Sequence, residues 1–299
     1  MRSNLLLYLK GVAMGAADIV PGVSGGTIAL ITGIYEELLF SIKNINIELF
    51  NTLLKKGIKE FWKQLNGNFL SVLLMGISSS IILLAQLIVF LLDNHQFKLW
   101  GLFFGLIIAS AFLILKDIQT MNIKVMFLMI LGTAIAVVIS LSNTTTFPNS
   151  NIYIFLIGSI AITAMILPGV SGSFILLLFS KYEYIINSIK EFDIRVILVF
   201  GTGCIFGLLL FSRFLHFLFQ NYKDYLLALL TGFLFGSLIK IWPFRKILKT
   251  RINSDGIEEA LITQPLIPTY QEIDSIVMFL SFAIIGYVLI TFIQKKSIS

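Results

Sequence analysis

The sequence predicts an all-α polytopic membrane protein arranged as an inverted-topology repeat, each half a re-entrant helical hairpin plus three transmembrane helices. Three observations carry this. Of 299 residues, 57% are hydrophobic and only 13% charged, against roughly 25% charged in soluble domains. Mean hydropathy is +0.94, and the 56 residues from Val125 to Ser180 contain no Asp, Glu, Lys or Arg. Finally, the first and second halves of the chain resemble each other around two Pro-Gly breaks. No water-soluble fold hides so long an uncharged apolar stretch. The net charge of +6 resides in loops between apolar spans, so it reads as membrane orientation and no nucleic-acid partner is expected.

Taken in order, the first apolar stretch, Gly11–Ile42, is interrupted at Pro21-Gly22. Each side of the break is too short to cross a bilayer, which takes about 20 residues. A chain that enters, breaks and leaves by the same face fits that length, and its irregular backbone must then be buried in protein or line a cavity. Phe69–Leu92, Leu99–Leu115 and Val125–Leu141 follow as uninterrupted spans. Ile152–Ile189 repeats the hairpin with its break at Pro168-Gly169, and Val196–Phe219, Tyr225–Pro243 and Ser275–Ile293 complete the second set. The repeats occupy residues 1–145 and 146–299 of a single membrane domain. The N-terminal apolar piece continues through Asp18 and Pro21 without a small-residue cleavage site, unlike a secretory signal. The segment Phe244–Asp274 has mixed charge and suits a short surface helix or a gate.

If the hairpins do not cross, 12 basic residues fall on the face that carries both termini and nine on the other, with Arg213 left in the membrane. That bias makes the terminal face cytoplasmic. The four basic residues in Arg245–Arg251 run against it.

The repeat is visible directly. A shift of 147 residues places Gly11–Lys43 on Gly158–Lys190 with 15 of 33 positions identical, including Pro-Gly-Val-Ser-Gly at Pro21–Gly25 and Pro168–Gly172. Downstream, Gly76 and Gln86 fall on Gly203 and Arg213, and Phe104-Gly105 on Phe235-Gly236. Three crossings per half make the second copy enter from the opposite face. Transporters built this way place their sites at broken helices near the midplane.

Each break leads at once into Ser24-Gly25-Gly26-Thr27 or Ser171-Gly172-Ser173 and a new apolar helix. Pro21 and Pro168 end the incoming half-helix, and Gly22 and Gly169 permit unusual dihedrals. Ser and Thr cap the outgoing half-helix, whose first amides point outward with the positive end of the dipole behind them. Two such ends form a cradle for a phosphate or carboxylate. The plainer alternative is a pair of proline kinks whose hydroxyls satisfy freed carbonyls.

Intramembrane ionisable residues are the other signal. Asp18, with Met165 at the matching place, either binds a coupling proton or cation or bonds the amides of its own hairpin. Arg213 either pairs with an anionic headgroup or snorkels to the interface. Glu36 and Glu183, each beside a Tyr, are candidates for ion coupling or gating. His216 reads as a packed histidine, and His95 carries no assignment. With two histidines and the single Cys204, no metal site, disulfide or cofactor is expected, and no nucleophile–base pair suggests an enzyme such as a lipid phosphatase.

The stretch Lys10-Gly-Val-Ala-Met-Gly-Ala-Ala-Asp-Ile-Val-Pro-Gly-Val-Ser-Gly-Gly-Thr27, with the second Pro-Gly-Val-Ser-Gly copy, resembles a bacterial membrane family once catalogued as a domain of unknown function and now assigned as polyprenyl-phosphate (undecaprenyl-phosphate) translocases. The resemblance covers essentially the whole chain. It implies a multi-pass protein of the bacterial cytoplasmic (inner) membrane whose partner is a polyprenyl monophosphate lipid. The lipid would be returned from the outer to the inner leaflet, recycling the carrier for cell-wall and surface-glycan synthesis. A transporter or channel for a small soluble anion is the alternative use of the same helix ends.

Overall fold

The computed structural model describes residues 2–20, 23–142, 144–252 and 258–298. Pro21 and Gly22, expected to break the first hairpin, lie outside the described residues. The first half runs α1 (Arg2–Ile19), α2 (Gly25–Ile31), α3 (Tyr35–Lys43), α4 (Ile47–Lys56), α5 (Ile58–Gln64), α6 (Gly67–Asn94), α7 (Gln96–Asp117) and α8 (Ile123–Leu141). The second half follows as α9 (Asn151–Ile166), α10 (Gly172–Leu178), α11 (Tyr182–Lys190), α12 (Ile194–Asn221), α13 (Lys223–Ser237), β1 (Arg245–Ile252), β2 (Glu258–Pro265) and α14 (Ile273–Ile298), with a 3-10 turn, Tyr270–Glu272, leading into α14.

Among the described residues, α6, α7, α8, α12 and the segment Tyr270–Phe292 are long and apolar enough to cross a bilayer. Large side chains stay exposed along them: Ile82 and Leu83 on α6, Phe127 on α8, Leu198 on α12, Ile284 on α14. Helices that are apolar all round yet uncovered by protein have lipid for a solvent. The chain is a mostly helical, multi-pass membrane protein.

Three expectations are corrected. The span expected over Tyr225–Pro243 is the shorter α13, 15 residues long, followed by a turn. There Arg245 Nη1 donates to the Ile239 carbonyl at 2.7 Å, and Phe244 accepts from the amide of Leu266 at 2.8 Å. The chain turns back into a hairpin instead of running on as helix. The mixed-charge segment after it contains the antiparallel pair β1–β2 where a short surface helix was expected, with Arg245 opposite Pro265, Ile252 opposite Glu258 and an irregularity at Leu248. The fold is therefore not purely α. Each hairpin also has a second break: α2 and α3 meet at a 115° bend around Gly33, whose φ of +73° suits glycine. In the second half Ser180, at φ +53°, occupies the matching corner.

Packing follows glycine. The principal helix pairs are α1 with α6, α9 with α12, α7 with α14, and α8 with α13. A Cβ on Gly76 would run into the Tyr8 carbonyl, and one on Gly203 into that of Phe155. Gly105 likewise lies on the Ala283 carbonyl and Gly232 on that of Met129. Lipid supplies no hydrophobic drive for helix association, so backbone-to-backbone approach at small residues does that work. The last two pairs join one half of the chain to the other. α7 and α13 thereby occupy the middle, with Ile107, Leu230 and Leu234 at most 1% exposed. The stretches matched by sequence also form helices with matched limits: α2 and α10 have 7 residues each, and α6 and α12 have 28 each.

Candidate functional site

The start of α2 meets the end of α9 and the second Pro-Gly break in the interior. Ser24 starts α2 as its N-cap, in extended conformation, and its Oγ accepts from the Gly26 amide at 3.0 Å. The same hydroxyl donates to the Met165 carbonyl at the end of α9, at 2.7 Å. Thr27 Oγ1 accepts from the Gly169 amide at 3.0 Å, and the fully buried Tyr35 donates its hydroxyl to the Ile166 carbonyl at 3.2 Å. The first turn of α2 is thus bound to the end of α9 and to the second Pro-Gly break.

Asp18 completes this arrangement. Its Oδ1 accepts from the Gly25 amide at 2.7 Å, across the break between α1 and α2. A carboxylate and a serine hydroxyl already serve the amides of α2. Two carbonyls, those of Met165 and Ile166, lie beside them, and a Cβ on Gly26 would overlap the latter. Acceptors and tight packing make this a poor place for another anion.

The second turn carries the same residues in a different state. Ser171 is extended, with φ −103° and ψ 130°, but makes no cap bond to α10. Its Oγ lies 2.8 Å from that of Ser173. Met165, standing where repeat one has Asp18, places no carboxylate here. Gly172 has the Ala161 carbonyl 2.7 Å from where a Cβ would stand. Pro168 is buried, and Gly169, at φ +81°, lies against Phe233 and Ser237 of α13. One turn beyond Ser237, the ammonium of Lys240 stands 3.8 Å above the Phe174 ring. Next to it an open apolar groove is lined by Phe104, Leu238, Ile239, Trp242 and Leu266.

The remaining candidates stand elsewhere. Arg213 is exposed, and its Nη2 donates to the Ile45 carbonyl between α3 and α4 at 3.1 Å; this partner belongs to neither Pro-Gly turn. Glu36 accepts from Gln220 Nε2 at 2.7 Å and so ties α3 to the end of α12. Glu183 is half-buried in the first turn of α11. His216 packs its ring 5.8 Å from that of Phe40. Among the described residues, no group of three or more His, Cys, Asp or Glu is placed to hold a metal. Sequence reasoning missed two participants. Lys240 counted only as one of the outer basic residues. Tyr35 was visible in the sequence only as the neighbour of Glu36 in the repeated Tyr-Glu pair.

Residues 14–259 match the undecaprenyl phosphate translocase-like family. A polyprenyl-phosphate transporter of Vibrio cholerae is 44% identical over 264 residues, which is 88% of this chain and 86% of that protein. A polyprenyl-phosphate transporter of Staphylococcus aureus is 35% identical over 253 residues, 79% of this chain and 85% of that protein. No solved structure matches. With a match across most of its length to this family and to two such relatives, the chain belongs to the undecaprenyl phosphate translocase-like family.

Proposed function

We propose that this protein translocates polyprenyl monophosphate between the leaflets of the bacterial cytoplasmic membrane, from outer to inner, and so recycles the lipid carrier for cell-wall and surface-glycan synthesis. The protein is not an enzyme in this reading; it moves the lipid unchanged. The phosphate sits at the second turn, at Ser171, Gly172 and Ser173. The first turn, Ser24 to Thr27, buttresses it. The observation that carries this division is the contrast between the two serine hydroxyls: that of Ser24 is committed at both lone pair and proton, while that of Ser171, among the described residues, pairs with Ser173 and makes no cap bond.

The lipid's chemistry fits such a site. Its headgroup is a small anion that needs donors in place of lost water, whereas its tail can remain in hydrocarbon throughout. The apolar groove at Leu238 and Trp242 opens beside the second turn and suits the first isoprene units. The long exposed faces of α6, α8, α12 and α14 are where the rest of the tail would lie. We take the two halves as an inverted repeat that rocks about the paired turns. The glycine crossings that link α7 with α14 and α8 with α13 are the surfaces on which that motion would occur. Asp18 then holds the first hairpin closed, and Glu36 with Gln220 ties α3 to α12 as a gate.

Leaflet exchange of labelled polyprenyl monophosphate in proteoliposomes tests the reading. The wild-type protein accelerates exchange, and Ser171→Leu, which fills the second turn, abolishes it without loss of folded protein. Full exchange by Ser171→Leu removes the site. Robust uptake of inorganic phosphate without lipid exchange transfers the function to small soluble anions.

A further inference from the structure

Lys240 differs from the other lysines and arginines that the fold draws inward. Lys10 donates to the Thr32 carbonyl at 2.6 Å, and Lys181 donates to the Phe147 carbonyl at 2.6 Å and to Asn149. Arg245 is spread over the Ile239 carbonyl and Thr263. Lys240 is half-buried, and the contact recorded for its ammonium is the face of Phe174, 3.8 Å away. Among the described residues, the charged group that acts on it is Arg245, a second cation. A partly desolvated ammonium beside another positive charge is costly unless an anion joins it. Phe174 directly follows Ser173, and Ser237, one turn before Lys240, lies on Gly169. The ammonium therefore stands over a residue just beyond the second Pro-Gly-Val-Ser-Gly turn, on a segment whose preceding turn packs against Gly169.

We infer that Lys240 is the cation that binds the phosphate monoester at the second turn, with the Phe174 face holding its ammonium in place until the ligand arrives. This rests on the proposed function and names a residue for its site. In the orientation expected from charge bias, Lys240 would capture the headgroup from the outer leaflet. The tail would then lie along the Leu238–Trp242 groove.

The test is direct binding of a short-chain polyprenyl monophosphate to detergent-solubilised full-length protein. The matching neutral polyprenol and inorganic phosphate serve as separate arms. Lys240→Gln weakens monophosphate binding by about tenfold to a hundredfold, the usual worth of a hydrogen bond to a charged group, and leaves polyprenol binding as it was. Lys240→Arg restores most of the preference for the monophosphate, and Lys246→Gln, on exposed β1, does not alter it. A structural role for Lys240 would lower binding of both lipids together, and an unchanged monophosphate-to-polyprenol ratio in Lys240→Gln overturns the inference. Should that variant not fold, the wild-type protein still decides: the monophosphate, and not the polyprenol, must protect Lys240 from an amine-acylating reagent. Equal protection by inorganic phosphate at the same concentration makes the site one for phosphate itself and removes the tail groove. If Lys240 governs binding while proteoliposomes show no exchange, the transport reading fails and the site stands. If exchange proceeds and the ratio is unchanged, the site fails and the transport reading stands.

Discussion

Ser24 and Ser171 sit in identical pentapeptides, yet the structure predicts opposite consequences for removing their hydroxyls. Ser24→Ala deletes an N-cap bond to Gly26 and a bond to the Met165 carbonyl at a residue 1% exposed. The cap is worth about 1 kcal/mol, and an interhelical bond in a membrane protein about 0.6–1.7 kcal/mol. The total, about 2 kcal/mol, changes the ratio of folded to unfolded protein by a factor of about 30. Ser171→Ala removes only the partly buried hydroxyl pair with Ser173, at about 0.5–1 kcal/mol. Unfolding in mixed detergent and dodecyl sulfate micelles, followed by the fluorescence of Trp62, Trp100 and Trp242, measures both. Ser24→Ala should shift the midpoint two to four times as far as Ser171→Ala, and Ser171→Ala should be the variant that slows exchange. Equal destabilisation, or a larger loss for Ser171→Ala, would refute the division into a buttressing turn and a binding turn.

Further outcomes follow from the same geometry. Gly105→Val drives a side chain into the Ala283 carbonyl and should cost about 3 kcal/mol by overpacking. Gly201→Ala, with nothing within 4 Å of the new Cβ, should gain up to about 1 kcal/mol of helix propensity; the same micelle titration reads both. Asp224, just outside its span, has its carboxylate held below the usual range by the Thr120 hydroxyl and the amides of Thr120 and Gln119. Its tie to the α7–α8 link is fully present above the ordinary carboxylate pKa and is lost as pH falls through the depressed one. Protection of the Gln119 and Thr120 amides, relative to intrinsic exchange, should fall in that acid window, and Asp224→Asn should show no such step. Arg213→Gln loosens the α3–α4 link at Ile45 but should leave headgroup affinity within about twofold, well under the effect expected of an ionic contact. A tenfold loss would place Arg213 at the headgroup after all.

Much of the fold was legible because hydropathy and chain breaks are local. The charge-free run marks α8, α9 and α10, and both Ser-Gly starts of α2 and α10 lie where the breaks put them. The second corner in each hairpin was harder to see, since Gly33 and Ser180 sit singly within apolar chain. The β1–β2 hairpin escaped notice because its strands are short, charged and irregular at Leu248. In hindsight, basic Arg245–Ile252 pairing with acidic-led Glu258–Pro265 was the available signal. The shortening of α13 was hard to read: Leu238, Ile239, Ile241 and Trp242 are as apolar as a helix interior, and Arg245 reaches back to the Ile239 carbonyl beyond the end of the helix.

By itself the sequence established that the chain lives in a bilayer and that a Pro-Gly-Val-Ser-Gly motif occurs twice. Those are properties of composition and of residues a few positions apart. What each of the two identical motifs bonds to was decided only by tertiary structure. Ser24 is occupied by a carbonyl 141 positions away, and Thr27 by an amide 142 away. Whether a donor is available to a ligand depends on what else the fold has brought to it, and with Asp18 in one half against Met165 in the other the two copies of one motif have different partners.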